Sequence, residues 1–277
     1  NQYNLKCTDI DVNTSWLSYL DFRDFKQYRK DVISFNPEWL FHLGAFTDLE
    51  YCENNIEDTY ITNTESVKNA VSICNELSIP ILYISTAGIF DGKKGFYDES
   101  DDPNPLGHYA RSKYLGEKYV LENAKRYLIC RAGWMMGGGL KKDKKFIKKI
   151  ISQINKGNKN LYIINDKLGT PTYTHDFARN VKLLINKQKY GLFNMVCEGL
   201  TDRLEVTKEL ITILNLNKKI KINEVSSGYF SKIYFAERPD CERLINKNLN
   251  DLNLNIMRNW RVSLKEYVEN YFLNNSK

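Results

Sequence analysis

The chain has 277 residues, of which 42% are hydrophobic and 27% are charged, and its formal net charge is +6 at pH 7. This balance fits one globular protein of one or two domains. No apolar run approaches the roughly 18 residues of a membrane-spanning helix, so we expect no membrane partner.

The cysteines lie singly, with no Cys-x-x-Cys pair, so neither a zinc site nor a disulfide framework is indicated. The three histidines show no metal-ligand spacing, and we assign no metal site. Single cysteines fit the reducing cytoplasm. They are Cys7, Cys52, Cys74, Cys130, Cys197 and Cys241.

Lysine clusters at residues 141–145 and 148–149 supply much of the positive charge. Such clusters are more typical of a solvated helix face than of a nucleic-acid site, so we expect no nucleic acid to bind. Positive charge near a binding site would also help to capture an anionic nucleotide-linked ligand.

Apolar segments alternate with helical patterns along the first half of the chain. Residues 4–9 predict a strand that ends at Asp9, residues 37–43 predict the next strand, and residues 81–84 predict a buried one. A long helix starts at Asn63, because apolar positions recur after it at helical spacing. These positions are Val67, Ala70, Val71, Cys74 and Leu77.

The alternation continues through the second half of the chain. Strands are predicted at residues 127–131, 161–164 and 192–196, and helices at 146–154, from 176 and from 260. Strands that alternate with helices predict an α/β fold with a Rossmann-like, doubly wound parallel sheet.

One stretch between residues 79 and 118 carries the clearest chemistry. The strand at 81–84 ends on Ser85 and Thr86, and the following helix carries Tyr109 and Lys113. The last two residues lie four positions apart, so they share one face of a helix.

These residue types suit the reduction of a ketone, which needs a hydride at carbon and a proton at oxygen. A free tyrosine has a pKa of about 10, and an ammonium such as that of Lys113 lowers it toward a working range. The hydroxyl of Thr86 is placed to hydrogen-bond the same substrate oxygen. We therefore interpret Thr86, Tyr109 and Lys113 as catalytic residues.

Longer segments around these residues carry a family likeness. They are Ser-Thr-Ala-Gly-Ile-Phe-Asp-Gly from residue 85, Asp-Pro-Asn-Pro-Leu from residue 102 and Tyr-Ala-Arg-Ser-Lys-Tyr-Leu-Gly-Glu from residue 109. Together they closely resemble the dTDP-4-dehydrorhamnose reductase family of extended short-chain dehydrogenases/reductases. The resemblance implies an NAD(P)H-dependent reductase of a 4-keto nucleotide-deoxysugar, in the biosynthesis of cell-surface polysaccharide sugars.

The resemblance also implies a division into domains. An NAD(P)-binding Rossmann domain is expected over residues 1–138 and about 161–190. A smaller, C-terminal substrate-binding subdomain is expected over residues 139–160 and 191–277.

Cofactor contacts follow from the resemblance. Asp9 matches the acid that binds the adenosine ribose, with Asp11 as a weaker alternative. Asp21 and Phe22 match the residues that hold the adenine, and residues 43–47 match a small-residue loop under the cofactor. The implied cofactor-binding residues are Asp9, Asp21, Phe22, Leu43, Gly44, Ala45, Thr47, Asn63, Ser85, Tyr109 and Lys113.

Substrate contacts are implied at Thr86, Ala87, Trp134 and Arg238. Trp134 matches an aromatic substrate contact, and Arg238 opens a family-like segment in which Cys241 and Glu242 are departures. Ala87 and Gly88 also depart from the Asp-Tyr pair that rhamnose reductases usually carry, so the particular sugar stays open.

Other functions remain as alternatives. Sugar-nucleotide dehydratases carry acidic residues directly after the threonine, and Ala87 and Gly88 argue against that reaction. A non-catalytic regulatory subunit is a second alternative, because the β subunit of methionine adenosyltransferase resembles this family and keeps Tyr-x-x-x-Lys. Another sugar-nucleotide epimerase or oxidoreductase is a third. The expected partners are a nucleotide sugar and, as the resemblance allows, a second copy in a homodimer.

The glycine-rich phosphate-binding turn of the family is absent from this sequence. We therefore expect roughly 20 to 30 further residues upstream, with a first strand that belongs at the centre of the sheet and a Gly-x-x-Gly-x-x-Gly turn. Asp9 predicts a preference for NADH, or at best a mixed preference, because a carboxylate at the ribose repels a 2′-phosphate.

Overall fold

The computed structural model describes residues 3–139, 143 and 145–273, so most of the lysine cluster at 141–145 lies outside the described residues. Two compact units are present. The first comprises Asn1–Ser85 and Gly107–Ile129, and the second comprises Thr86–Leu106 and Cys130–Lys277. The chain passes from one unit to the other three times, within a strand after Ser85 and after Ile129, and outside any strand or helix after Leu106.

Short parallel strands form the framework of the first unit. β1 (Cys7–Asp9) pairs in parallel with β2 (Leu17–Tyr19), and β3 (Leu40–His42) pairs in parallel with β4 (Ile81–Thr86). β5 (Tyr127–Ala132) lies on the other side of β4. These parallel pairings confirm the predicted α/β class.

Five α-helices accompany these strands among the residues that the structure describes. They are α1 (Phe25–Phe35), α2 (Leu49–Asn54), α3 (Ile56–Tyr60), α4 (Ser66–Leu77) and α5 (His108–Asn123), with a π-helical turn at Ile61–Glu65. The Asp24 carboxylate caps α1 by accepting from the amide of Gln27 at 3.1 Å.

Local chemistry explains where these elements begin. The strand predicted from residue 37 is observed only from Leu40, because Asn36 closes α1 in the left-handed region (φ 50°) and Pro37 has no amide proton. The predicted inner face of α4 is buried from Val67 to Cys74, whereas Leu77 at the helix end is partly exposed.

The second unit is built from several small sheets. Its further strands are β6 (Trp134–Met136), β7 (Asn160–Ile164), β8 (Leu168–Gly169), β9 (Pro171–Tyr173), β10 (Gly191–Asn194), β11 (Thr201–Asp202), β12 (Lys221–Val225) and β13 (Cys241–Glu242). β10 lies beside the later half of β5 in the sheet, and next to it the Met195 amide donates to the Arg131 carbonyl at 2.8 Å. β7 pairs in parallel with β12.

Helices and turns cover these strands. The helices are α6 (Phe146–Asn155), α7 (Thr174–Asn186), α8 (Arg203–Ile213), α9 (Lys247–Asp251) and α10 (Trp260–Val268). Short turns of 3₁₀-helix occupy Ala87–Ile89 and Ser227–Phe230, and a π-helical turn occupies Glu269–Leu273. Trp260, Tyr173 and Tyr267 are fully buried and form much of the core of this unit.

Two parallel pairings in the second unit position candidate site residues. β6 pairs with β9, which sets Trp134 opposite Pro171, and β13 pairs with β8, which sets Glu242 opposite Gly169. Within the described residues, no helix is both long and apolar enough to span a membrane.

Candidate active site

Helix α5 holds Lys113 in a buried position beside β4. Its Nζ atom lies 4.2 Å from the centre of the Tyr83 ring, and the Tyr83 hydroxyl donates to the main-chain oxygen of Lys113 at 2.9 Å. Burial lowers the pKa of Lys113 to about 7, and the Glu117 carboxylate one turn later opposes that shift. Lys113 therefore exchanges its proton near neutral pH.

Tyr109 lies one helical turn before Lys113, and its side chain is half-buried. Burial, then Glu117, then Tyr109 raise the pKa of Tyr83 well above its ordinary value. Tyr109 is therefore close enough to Tyr83 to act on it electrostatically. Tyr83 itself stays a neutral hydroxyl that donates its hydrogen bond to the lysine backbone.

Asn63 joins the loop after β3 to helix α5. Its Oδ1 atom accepts from the amide of Phe46 at 2.8 Å, and its Nδ2 atom donates back to the Phe46 carbonyl at 3.0 Å. The same Nδ2 atom donates to Ser112 Oγ at 3.1 Å, and that hydroxyl donates to the Tyr109 carbonyl at 2.9 Å. The structure thus connects three predicted parts of the cofactor site: Asn63, the 43–47 loop and α5.

Gly44 lies directly under the ring of Phe22. A Cβ atom at Gly44 would come within 2.2 Å of Phe22 Cε1, so any larger residue there would have to displace the Phe22 ring. The Phe22 ring meets the edge of His42, with ring centres 4.9 Å apart. His42 is packed between the hydroxyls of Tyr28 and Ser66, and burial lowers its pKa to about 3, which keeps it neutral.

The other residues of the 43–47 loop are more open. The side chain of Leu43 is 56% exposed and Thr47 is exposed, whereas Ala45 is half-buried. An exposed leucine beside a glycine-floored ring is an apolar surface on which a flat ligand can rest.

The two carboxylates predicted to bind adenosine lie on neighbouring strand ends. The Leu20 amide donates to the Asp9 carbonyl at 3.2 Å, which brings the segment of Asp21 next to the end of β1. Asp9 accepts from the amide of Asp11 at 3.0 Å. Asp21 forms a two-pronged pair with Arg23, and this hydrogen bonding lowers the pKa of Asp21.

Ser85 ends the share of β4 that belongs to the first unit. Its side chain is buried, and its Oγ atom has no hydrogen-bond partner among the described residues. A buried hydroxyl without a partner is costly, and a polar ligand group would relieve that cost. Ser85 and the buried Lys113 are therefore residues that could hold a nicotinamide cofactor.

Thr86, the next residue, belongs to the second unit. Its Oγ1 atom accepts from the Gly88 amide at 3.1 Å, which starts the turn at Ala87–Ile89. Because this atom acts as acceptor there, its own proton stays available, and it has no acceptor among the residues that the structure describes. Ala87 and Gly88 are buried, so they add no side chain that reaches out to a ligand.

Trp134 is held on its edge and on its face. Its Nε1 atom donates to Glu242 Oε2 at 2.8 Å, and the Arg203 guanidinium carbon lies 3.7 Å from the ring centre. A Cβ atom at Gly169 would come within 2.2 Å of the indole, so glycine is required beneath it. The predicted substrate-contact residue is therefore firmly oriented.

Arg203 is a residue that the sequence reasoning missed. It begins α8, and an arginine in a first helical turn looks like an ordinary surface residue. Burial lowers the pKa of Arg203 to about 10. The Glu242 carboxylate raises this pKa, and the positive charge of Arg238 lowers it further. This repulsion means that Arg238, predicted from the resemblance, lies near Arg203 and adds a second positive charge.

The chain matches a known family over nearly its whole length. The family model described as "RmlD substrate binding domain" matches residues 3–273. The spore coat polysaccharide biosynthesis protein SpsK of Bacillus subtilis is 24% identical over 266 residues, which are 96% of this chain and 90% of that protein.

Two reductases are similar to a comparable extent. The dTDP-4-dehydrorhamnose reductase of Escherichia coli is 26% identical over 265 residues, which are 91% of this chain and 86% of that protein. A crystal structure of dTDP-4-dehydrorhamnose reductase from Bacillus anthracis in complex with NADP is 25% identical, with a TM-score of 0.85 over 92% of this chain and 89% of that chain. This structural likeness confirms the Rossmann-like class, and the match over residues 3–273 shows that the chain belongs to the RmlD substrate-binding domain family.

Proposed function

We propose that this chain is an NAD(P)H-dependent reductase of a 4-keto nucleotide-deoxysugar, similar to the dTDP-4-dehydrorhamnose reductases. Its place would be the biosynthesis of polysaccharide sugars, which also agrees with its likeness to SpsK. The observation that carries the proposal is the buried Lys113, one helical turn after Tyr109, in a member of this family.

Bound NAD(P)H supplies the hydride. Tyr109 supplies the proton to the oxygen of the keto group. Lys113, when protonated, stabilises negative charge on the tyrosine oxygen and so makes the phenol a stronger acid. Its pKa of about 7 means that the charged and the neutral form are both present at neutral pH, and the Glu117 carboxylate favours the charged form.

Thr86 positions the keto oxygen with the proton that its hydroxyl keeps available. Trp134 contacts the sugar through the part of its indole that stays exposed, and Arg203 with Arg238 supplies positive charge for an anionic nucleotide. The remaining predicted contacts, from Asp9 to Ser85, serve the cofactor in this proposal.

The experiment is an assay of the purified protein with NADH and NADPH at 340 nm. We expect cofactor oxidation that depends on dTDP-4-dehydrorhamnose, and a product that carries a new hydroxyl at carbon 4. If no 4-keto nucleotide sugar caused oxidation of NADH or NADPH, the result would contradict the proposal and favour a regulatory role.

We further propose that the protein works in the cytoplasm, where its six free cysteines stay reduced. The homodimer, the domain division and the individual site residues stay predictions.

A further inference from the structure

The turn after β4 lies against the side chain of Glu242 within the second unit. A Cβ atom built on Gly88 would lie 3.4 Å from Glu242 Oε1 and 3.5 Å from Thr86 Oγ1. A single methyl-sized group thus contacts both oxygens. Glu242 comes from β13, far along the chain, so this neighbour of Thr86 is created only by the fold.

The two oxygens of Glu242 have different surroundings. Oε2 accepts from the indole of Trp134 at 2.8 Å, which fixes the orientation of the carboxylate. Oε1 receives no hydrogen bond from any described residue, and this atom is not fully buried. It is therefore an accessible acceptor beside the threonine that we assign to the keto group.

A positive charge lies near the Glu242 carboxylate. The Arg203 guanidinium is stacked on the same indole at 3.7 Å, and the attraction of Glu242 favours its charged form. An ionised carboxylate only accepts hydrogen bonds. The hydroxyls of the sugar ring are the donors that a nucleotide sugar offers beside its keto group, whereas its phosphates would be repelled.

We propose that Glu242 Oε1 accepts a hydrogen bond from a hydroxyl of the sugar ring, next to the keto group that Thr86 binds. This inference rests on the proposed function and adds a specificity-determining residue to it. Glu242 distinguishes sugars with a hydroxyl at that ring position from deoxygenated sugars, because loss of the hydroxyl leaves the carboxylate oxygen without its donor.

The test is calorimetric titration with dTDP-L-rhamnose, the alcohol that the proposed reaction forms, and with dTDP, which has no sugar. Glu242→Gln keeps the shape of the side chain and an oxygen for Trp134, but removes the charge. We expect dTDP-L-rhamnose to bind about tenfold more weakly to this variant, since charge-assisted bonds are the stronger ones. Affinity for dTDP should not fall, because the variant loses a negative charge near Arg203.

Two further variants sharpen the result. Gly88→Ala places a methyl group against Oε1 and should also weaken binding of the sugar nucleotide, without changing dTDP affinity. Glu224→Gln is the matched control, because it removes the same charge from an exposed residue that pairs with Lys208, and it should bind both ligands normally. Equal affinity of wild type and Glu242→Gln for dTDP-L-rhamnose would overturn the inference, as would an equal loss for dTDP.

Turnover separates this inference from the proposed function. Reduction of no 4-keto sugar by the wild type would defeat the proposed reaction, whereas the binding comparison would still decide the role of Glu242. In an active enzyme, 2-deoxy and 3-deoxy analogues of the keto substrate complete the test. With the analogue that lacks the hydroxyl bound by Glu242, KM should be the same for wild type and Glu242→Gln. A difference in KM that persists with both analogues would show that Glu242 acts only by orienting Trp134.

Discussion

The side-chain amide of Asn63 pairs with the main chain of Phe46 in both directions, at 2.8 and 3.0 Å. This pairing imitates one rung of a β-ladder, and it fixes the loop that contains Gly44 and Ala45. Because Asn63 Nδ2 also reaches Ser112 Oγ on α5, the loop and the helix of Tyr109 and Lys113 are held in a common frame.

Asn63→Asp should loosen that frame. The carboxylate keeps an acceptor for the Phe46 amide, but it repels the Phe46 carbonyl that the asparagine amide contacts. Loss of a buried donor costs about 1–3 kcal/mol, and we expect the Kd for NAD(P)H to rise several-fold. Chemical denaturation and cofactor titration measure the two effects.

Asn75→Asp is the control for that experiment, because Asn75 makes a similar bond to the Asn123 carbonyl in an exposed place. It should leave cofactor affinity as it is. Unaltered stability and affinity in Asn63→Asp would show that the loop does not depend on this pairing.

Lys113 should make stability depend on pH. Its folded pKa of about 7 lies below the unfolded value, so from pH 7 to pH 10 the unfolded chain binds the extra proton. The contribution of Lys113 is therefore least favourable below pH 7, and it improves by about 1.4 kcal/mol per pH unit through that window. Lys113→Met removes this slope. The variant should therefore be more stable than the wild type near pH 7, and the difference in the free energy of unfolding should shrink as pH rises.

Denaturant titrations at several pH values between 6 and 10 measure this difference. Lys118→Met, at an exposed position of the same helix, is the control and should keep the slope of the wild type. An equal slope in Lys113→Met and wild type would mean that the buried ammonium titrates elsewhere.

The choice of cofactor should depend on Asp9. Its carboxylate at the end of β1 would repel the 2′-phosphate of NADPH and accept from the ribose hydroxyls of NADH. We expect kcat/KM for NADH to equal or exceed that for NADPH, and Asp9→Asn to shift the ratio toward NADPH. A tenfold preference of the wild type for NADPH, equivalent to about 1.4 kcal/mol, would count against this role of Asp9.

The sequence alone predicted those features that depend on residues close together in the chain. The helix with Tyr109 and Lys113, the strand that leads into Ser85 and Thr86, and the α/β class all follow from spacing over a few turns or strands. The full partnership of Asn63 did not follow, because it depends on an irregular π-helical turn at Ile61–Glu65 and on Ser112 in another helix.

Contacts between distant segments were beyond sequence reasoning. Glu242 was recognised as a departure, yet its position beside Gly88 depends on the pairing of β13 with β8. Arg203 gave no signal at all, since it lies in helix α8 and its stacking against Trp134 of β6 arises only in the folded chain. Such contacts depend on the whole fold, and a single sequence carries no periodic mark of them.

The most direct test of Tyr109 as the proton donor is the turnover of Tyr109→Phe with dTDP-4-dehydrorhamnose and NADPH or NADH. Loss of the proton donor should lower kcat by about 10²–10⁴-fold, while the Kd for the cofactor stays within about twofold. Tyr114→Phe, on the same helix, is the control and should match the wild type. We predict an active wild type and a Tyr109→Phe variant with almost no turnover. Near-normal turnover by Tyr109→Phe would contradict the assignment.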